Sequence, residues 1–311
     1  STALPGPSGS IREALPQPDF AEVAYGPHAR QVYDLWRPLD SAGAPVPLVV
    51  FYHGRGFSGG DKSRLNGNLL QLLRRNGGAV AAANYRLTDT APFPAQMHDA
   101  ARALQTIRHR AAEYGIDPAR IAATGGSAGA GISQWLAFHE DLADPDAADP
   151  VARQSTRLAA VVATAAQTTY DPREHFRLFD STDMEGAMFR FYGMTSVEQI
   201  ADPKFQALFE EASPITHATA DDPPVMLVYS QPNAELPPNP AGSAYIHHPK
   251  FGFLLKEKLD ALGVACVLKL REDYAPQAFA RDSVLDQVRF LCAKLGIADP
   301  DLGAPPARQA P

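Results

Sequence analysis

The 311-residue chain carries 28 basic and 35 acidic residues, a net charge of −7, and 45% of its residues are hydrophobic. This length suffices for one large α/β domain or two small ones, and the composition supports a sizeable buried core. A nucleic-acid partner is not expected, because counterion release requires a basic surface. No apolar run approaches the ~18–20 residues that cross a bilayer, so the sequence predicts a soluble protein without a membrane span.

Segments rich in proline and glycine lie at both ends of the chain. They predict a flexible lead-in over 1–18, a single domain over 19–298 and a loose tail over 299–311. Because the sequence begins with Ser1 rather than Met, an N-terminal export signal or tag is expected to have been removed. The compartment stays open, and so does homo-oligomerisation.

Short apolar segments of strand length alternate along the chain with segments in which apolar residues recur at helical spacing. This alternation predicts an α/β fold with a mostly parallel central sheet and helices on both faces. The predicted strands are 20–25, 30–37, 47–52, 79–85, 120–124, 158–165, 224–230 and 264–270, and the predicted helices are 62–75, 95–114, 128–140, 251–262 and 280–295.

Residues 170–217 interrupt this rhythm. The segment is rich in Phe, Met and Tyr, yet it lacks the alternation of a strand. It is interpreted as a cap inserted over the top of the sheet. The alternative, a long helical crossover between two strands, stays open, because a single sequence fixes topology poorly.

The motif Gly-Gly-Ser-Ala-Gly occupies residues 125–129, directly after a predicted strand and at the start of a predicted helix. A nucleophilic serine requires that setting, because the hydroxyl stands on a sharp strand-to-helix turn and flanking glycines remove clashes. The helix N-terminus also favours developing negative charge. Ser127 is therefore the candidate nucleophile; the alternative is a glycine-rich turn that merely begins a helix.

A second glycine-rich loop, His53-Gly54-Arg55-Gly56-Phe57, follows the predicted strand 47–52. In a hydrolase such a loop donates backbone N–H groups to an oxyanion, together with the N–H of the residue after the serine, here Ala128. Glycine allows the substrate carbonyl to approach closely. An ordinary turn is the alternative, and the pairing with the serine motif favours the oxyanion role.

Four segments, HGRGFSGGD at 53–61, NYRL at 84–87, PFPAQMHD at 92–99 and GIDPARIAATGGSAG at 115–129, together resemble the carboxylesterases of the hormone-sensitive-lipase-like branch of the α/β-hydrolase fold. The resemblance covers about 20–165 well and the remainder loosely. It implies that Ser127 is the nucleophile, that Arg55, Gly56 and Ala128 supply the oxyanion N–H groups, and that His53 is structural. It also implies a small-molecule ester substrate. Arg55 departs from the usual glycine and brings a cation to the pocket edge.

The acid and the base of the triad depart from the family pattern. The expected Asp falls near Asn233, and the position of the usual His holds Gln277; no His follows His248. Without a base a serine hydroxyl is a poor nucleophile. One hypothesis is a rearranged triad, in which His247 or His248 approaches from the loop after strand 224–230 and Asp273, Glu272 or Glu235 supplies the acid. The alternative for the histidine pair is a polar turn at a helix start.

Two further hypotheses stay open. In one, the chain is a catalytically weak or inactive homologue that binds a ligand under its cap, since fold does not settle function. In the other, it uses a histidine of the cap segment, His175 or His217, or catalyses a different reaction at the same elbow. No cofactor is expected, because no dinucleotide-binding glycine fingerprint follows the first strand. No metal site is expected either, because zinc-type Cys/His spacing is missing and the acidic run 140–149 lacks the spacing of a calcium loop. Cys266 and Cys292 are expected to be two separately buried thiols.

Overall fold

The computed structural model describes residues 14–303. Within this range the elements follow the predicted alternation, with boundaries that differ from the predicted ones by a few residues. The strands are β1 (Phe20–Ala24), β2 (Val32–Trp36), β3 (Val46–Tyr52), β4 (Ala79–Ala83), β5 (Ile116–Gly126), β6 (Val161–Thr164), β7 (Val225–Val228) and β8 (Cys266–Lys269). The α-helices are α1 (Gly67–Arg75), α2 (Ala95–His109), α3 (Ala111–Tyr114), α4 (Ala128–Phe138), α5 (Pro172–Phe179), α6 (Gly186–Tyr192), α7 (Pro203–Ala212), α8 (Pro214–His217), α9 (Gly242–Tyr245), α10 (Lys250–Leu262) and α11 (Phe279–Lys294).

All eight strands of the described range form one sheet in the order β1-β2-β4-β3-β5-β6-β7-β8. The pairings of β1 with β2 and of β2 with β4 are antiparallel, and every other pairing is parallel. The predicted mostly parallel α/β sheet is therefore confirmed. Its parallel strands end at one edge, so the loops that follow β3, β5, β6 and β7 are brought together there.

The central strands are continuous apolar runs because both faces of the sheet are covered. In β3, Leu48 and Val50 pack into one core cluster, whereas the intervening Val49 packs into a second cluster on the opposite face. Helices α2 and α4 contribute to the first cluster, and α1 and α11 contribute to the second. A strand buried on both faces has no polar side to alternate with, which explains the sequence pattern.

The chain between β6 and β7 is helical, with α5 to α8 and a short 3-10 helix, and has no strand. Its aromatic side chains pack onto the glycine-rich loop that follows β3: Phe191 stacks on Phe57 with ring centroids 4.2 Å apart. Tyr192, at the end of α6, ties the middle of this segment to its start by donating from its hydroxyl to the carbonyl oxygen of Tyr170 at 2.6 Å. These contacts fit the expected cap, although the division of the chain into a domain and a cap stays a prediction.

The remaining expectations concern the cysteines and the chain ends. Cys266 and Cys292 are both buried and free, as expected for two separate thiols, and burial raises the pKa of each to about 11. The indole of Trp36 donates to the carbonyl oxygen of Pro16, so the end of the expected lead-in packs on the sheet. Residues 1–13 and 304–311, which hold most of the expected lead-in and tail, lie outside the described residues. None of the described helices is long and apolar enough to cross a membrane.

Candidate active site

Ser127 stands at the turn between β5 and α4 in a strained backbone conformation, with φ 51° and ψ −114°. Glycine is required on both sides. A Cβ on Gly125 would lie 2.4 Å from the carbonyl carbon of Gly129, and a Cβ on Gly129 would lie 1.9 Å from the carbonyl oxygen of Tyr52. The neighbouring strand β6 stabilises this strained conformation, because Ser127 N donates to Thr164 O at 2.9 Å. This geometry is that of a nucleophile elbow.

The loop after β3 lies beside the elbow. Arg55 and Gly56 have positive φ values, 84° and 62°, which turn the backbone sharply. Both residues line a cavity of about 800 Å³ together with Ser127 and Ala128. A Cβ on Gly54 would lie 2.6 Å from the carbonyl oxygen of Gly126, so the loop packs directly on the elbow. The predicted oxyanion residues and the serine are therefore brought to one cavity.

His53, the first residue of this loop, is held in place by Tyr85 and Arg30. Its ring stacks on Tyr85 with centroids 4.3 Å apart, and the Tyr85 hydroxyl donates to the His53 carbonyl oxygen at 2.6 Å. Arg30 donates from one guanidinium nitrogen to Gly60 O at 3.1 Å, and the same nitrogen lies 2.9 Å from His53 Nε2. Burial lowers the pKa of His53 to about 4, so the ring is neutral at pH 7. His53 lines neither cavity that contains Ser127, which agrees with a structural role.

His247 comes from the turn between α9 and α10 and is half-buried beside the elbow. It lines both the 800 Å³ cavity and a second cavity of about 450 Å³, and Ser127 also lines both. Its Nδ1 lies 3.3 Å from Ala165 O and 3.1 Å from Gln167 Nε2. Nδ1 therefore faces one acceptor and one donor: donating to Ala165 O leaves the lone pair on Nε2, whereas accepting from Gln167 Nε2 places the proton on Nε2. Among residues 14–303 no carboxylate forms a hydrogen bond or an ion pair with this ring.

His248, the neighbouring candidate, is turned away from Ser127. It is buried, and its Nε2 donates to Ala234 O at 2.8 Å. Its Nδ1 accepts from the backbone N–H of Lys250 at 3.1 Å, so both ring nitrogens are engaged. Burial lowers the pKa of this side chain. The structure thus separates the pair, and only His247 lies in the walls of the serine cavities.

The carboxylates considered as the acid lie elsewhere. Asp273 is exposed and accepts from the backbone N–H of Leu270 at 2.8 Å, which caps the turn after β8. Glu272 accepts from the backbone N–H of Asn233 at 2.8 Å and thereby ties the loops after β7 and β8 together. Glu235 is exposed and, like Asp273 and Glu272, lines neither serine cavity. The structure therefore brings none of the expected acids to His247.

The histidines of the segment after β6 are also distant from the serine cavities. His175 is fully buried, with Nε2 donating to Thr169 O at 2.8 Å. His217 donates to Glu211 O at 2.7 Å near the C-terminal end of α4. Gln277, which stands at the usual position of the base, is exposed.

Two residues of the loop after β6, Ala165 and Gln167, are contacts of His247 that the sequence analysis missed. Gln167 is buried, and its amide nitrogen donates to the carbonyl oxygen of Ile246, the residue before His247. The sequence could have indicated this loop only by its position along the chain. The loop follows a parallel strand next to β5, so it lies at the same edge of the sheet as the elbow.

The 800 Å³ cavity combines an apolar interior with charged residues at its mouth. Phe57, Tyr170, Met188 and Phe191 supply buried apolar walls. Exposed Arg55 and Arg190 and half-buried Glu185 contribute the charges. Among residues 14–303 neither guanidinium forms an ion pair with a carboxylate. A concave apolar site with a few polar groups is typical of small-molecule binding.

The sheet order and the strained serine elbow place the chain among proteins of the α/β-hydrolase fold. More narrowly, it belongs to the BD-FAE family, whose model matches residues 33–242. The resemblance found in the sequence is thereby confirmed. The acetyl ester-xyloside bifunctional hydrolase from Caldicellulosiruptor lactoaceticus has a similar fold, with a TM-score of 0.66 at 21% identity over 86% of this chain and 89% of that one.

Curated relatives are more similar in sequence. The probable carboxylic ester hydrolase LipM of Mycobacterium tuberculosis is 29% identical over 236 residues, 75% of this chain and 52% of that protein. Esterase LipQ of the same organism is 26% identical over 219 residues, 70% of this chain and 49% of that protein. The chain thus spans about half the length of these relatives.

Proposed function

We propose that this protein hydrolyses a small carboxylic ester through an acyl-enzyme on Ser127, with His247 as the base. The observation that carries the proposal is the shared position of the two residues: a strained serine and a half-buried histidine line the same two cavities. The names of the relatives LipM and LipQ, a probable carboxylic ester hydrolase and an esterase, support the reaction class.

In this mechanism Ser127 Oγ attacks the ester carbonyl carbon while His247 Nε2 takes the hydroxyl proton. The oxyanion receives hydrogen bonds from backbone N–H groups of the Arg55-Gly56 loop and of Ala128, at the N-terminus of α4. His247 then passes the proton to the departing alcohol, and water attacks the acyl-serine by the same steps.

The unusual part is the partner of the base. A carboxylate normally fixes the tautomer of the histidine and stabilises the imidazolium. Here the only oxygen facing His247 Nδ1 among residues 14–303 is the carbonyl of Ala165, at 3.3 Å. The proposal uses the tautomer in which Nδ1 donates to this carbonyl oxygen, and a carbonyl dipole stabilises the imidazolium less than a full negative charge does. The proposal therefore includes a serine–histidine dyad with a main-chain orienting group, and a lower turnover than a complete triad gives.

The test is covalent labelling with a fluorophosphonate probe, followed by mass mapping of the adduct. Esterase 2 of Thermogutta terrifontis, which shares the fold, is known in a form phosphonylated by sarin, so the probe chemistry suits such an elbow. Labelling at Ser127 and hydrolysis of short-chain p-nitrophenyl esters, both lost in Ser127→Ala, are expected. An intact folded protein that neither labels nor turns over these esters contradicts the proposal and directs the search to a bound ligand.

A further inference from the structure

A second cluster of chemically competent side chains lies at the opposite end of α4 from the nucleophile. His139 directly follows α4, Glu211 lies near the end of α7, and His217 ends α8. One ring nitrogen of each histidine and one carboxylate oxygen all lie within 4.8 Å of one another. Among residues 14–303 this is the only group of three or more His, Cys, Asp or Glu side chains that are so close.

We propose that His139, Glu211 and His217 bind a zinc-like divalent cation. Two imidazoles and a carboxylate form a donor set that suits Zn²⁺, with water at the fourth position. At metal–ligand distances of 2.0–2.2 Å, tetrahedral ligands stand roughly 3.3 Å apart. His139 Nε2 lies 2.8 Å from Glu211 Oε1, and one ring nitrogen of His217 lies within 4.8 Å of the ligand atoms of the other two residues, so small side-chain rotations bring the three groups to that spacing.

The hydrogen bonds around the histidines support this assignment. Zinc-ligating histidines use one ring N–H to donate to a carbonyl or carboxylate, which orients the other nitrogen. His139 Nδ1 faces the carbonyl oxygen of Glu140 at 3.0 Å, and His217 Nε2 faces the carbonyl oxygen of Glu211 at 2.7 Å. His139 thus retains Nε2 for a ligand, and His217 would bind an ion through Nδ1, or through Nε2 once the hydrogen bond to Glu211 O is released.

Both ring nitrogens of His139 face oxygen atoms, Nδ1 the carbonyl oxygen of Glu140 at 3.0 Å and Nε2 the Glu211 carboxylate at 2.8 Å. A neutral ring has a single N–H and satisfies only one of these contacts. A metal ion held between Nε2 and the carboxylate would satisfy the second. The nearby His217 ring, with its centroid 4.6 Å from that of His139, is what favours a metal over an isolated ion pair.

The packing restricts the site without closing it. Trp135 covers one side of His139, with ring centroids 4.1 Å apart, and its indole donates to Glu211 O at 2.9 Å. The side chains of His139 and His217 are 16% and 18% exposed, whereas Glu211 is 47% exposed. An ion can therefore enter from solvent past the carboxylate. Bound there, it would tie α7 and α8 to the helix that carries Ser127.

The experiment measures metal binding and does not depend on esterase activity. Full-length protein is stripped with a chelator and titrated calorimetrically with Zn²⁺, and Co²⁺ absorption reports the coordination geometry. We expect one Zn²⁺ per chain, a tetrahedral Co²⁺ spectrum and a raised Tm with Zn²⁺. Glu211→Gln and His217→Ala should each weaken binding at least about tenfold. Exposed His109→Ala is the matched control and should bind as the wild type does.

Circular dichroism confirms that each variant is folded, and Glu211→Gln is the more conservative of the two because the side chain is half exposed. Absence of saturable Zn²⁺ and Co²⁺ binding by the wild type would overturn the proposal and leave a proton-bridged pair. Binding that is equally strong in Glu211→Gln and His217→Ala would overturn it as well.

Discussion

The backbone N–H of Ser127 donates to the carbonyl oxygen of Thr164, the last residue of the strand adjacent to β5, at 2.9 Å. This hydrogen bond joins the serine elbow to the loop that carries Ala165 and Gln167, the two contacts of His247. The positions of Ser127 and of the carbonyl that would orient the proposed base are therefore coupled through one residue, Ala165. A change in the elbow backbone should disturb both.

Gly129→Ala is expected to disrupt the elbow. The new Cβ would lie 1.9 Å from Tyr52 O and 2.8 Å from His53 O, both backbone atoms that move only if β3 and the oxyanion loop move. We expect a loss of about 3 kcal/mol or more in the free energy of unfolding, with loss of fluorophosphonate labelling. Gly186→Ala is the matched control, because nothing lies within 4 Å of its Cβ position. Urea denaturation that gives equal stability for both variants contradicts the prediction.

Replacing each of the two adjacent histidines by alanine should change a different property, the labelling rate for His247 and the stability for His248. His247→Ala is expected to slow labelling of Ser127 about 100-fold or more, because it removes the proposed base, with little change in stability. His248→Ala should retain labelling but cost about 1–3 kcal/mol, because it leaves Ala234 O and Lys250 N without their partner in a buried site. Labelling rates and urea denaturation on the same preparations separate the two. Retained labelling in His247→Ala, with loss in folded His248→Ala, would reverse the assignment.

The buried histidines should make stability depend on pH. Burial lowers the pKa of His175 from 6.5 to about 4, and the same holds for His53. Between those values the unfolded chain binds a proton that the folded chain does not. The contribution of these two histidines to the free energy of unfolding is therefore fully present above pH 6.5. It is lost as the pH falls toward 4, by about 1.4 kcal/mol per pH unit for each proton. His175→Gln should reduce the slope by about one proton in urea denaturations between pH 6.5 and 4.5, and an unchanged slope contradicts this.

The charges at the cavity mouth should influence substrate preference. Arg190→Gln is expected to lower kcat/KM for an ester that bears a carboxylate by a few fold at low salt. A neutral ester of the same size should be unaffected. Glu185→Gln should have the reverse effect, and its amide oxygen can still cap α6 at Ala187 N. Both effects should diminish at high salt. Parallel changes for both esters would show that the charge is not responsible.

The sequence predicted the sheet and the elbow because both depend on local patterns. Buried strands such as β3 are continuous apolar runs, and the strained turn at Ser127 demands glycine at fixed positions on either side. Strand order could not be obtained in this way, because it is set by pairings between distant segments that share one apolar composition.

The neighbourhood of the base could be predicted only in part. His247 and His248 are equivalent in a sequence, but adjacent residues point in different directions, and only the packing of the turn before α10 decides which faces Ser127. Ala165 contacts His247 through its carbonyl oxygen, which every residue possesses, so no side-chain signal marks it. The cluster of His139, Glu211 and His217 was missed for a related reason, since it forms only when the helices after β6 pack on the end of α4.

Ser127 lines two cavities, of about 800 and 450 Å³. Thr164, Val284 and Gln287 border the smaller space and belong to the sheet edge and the last helix. An acyl group held in the larger space would leave the smaller one free for solvent. In the proposed mechanism, water would then reach the acyl-serine through the smaller space, whatever the size of the acyl group.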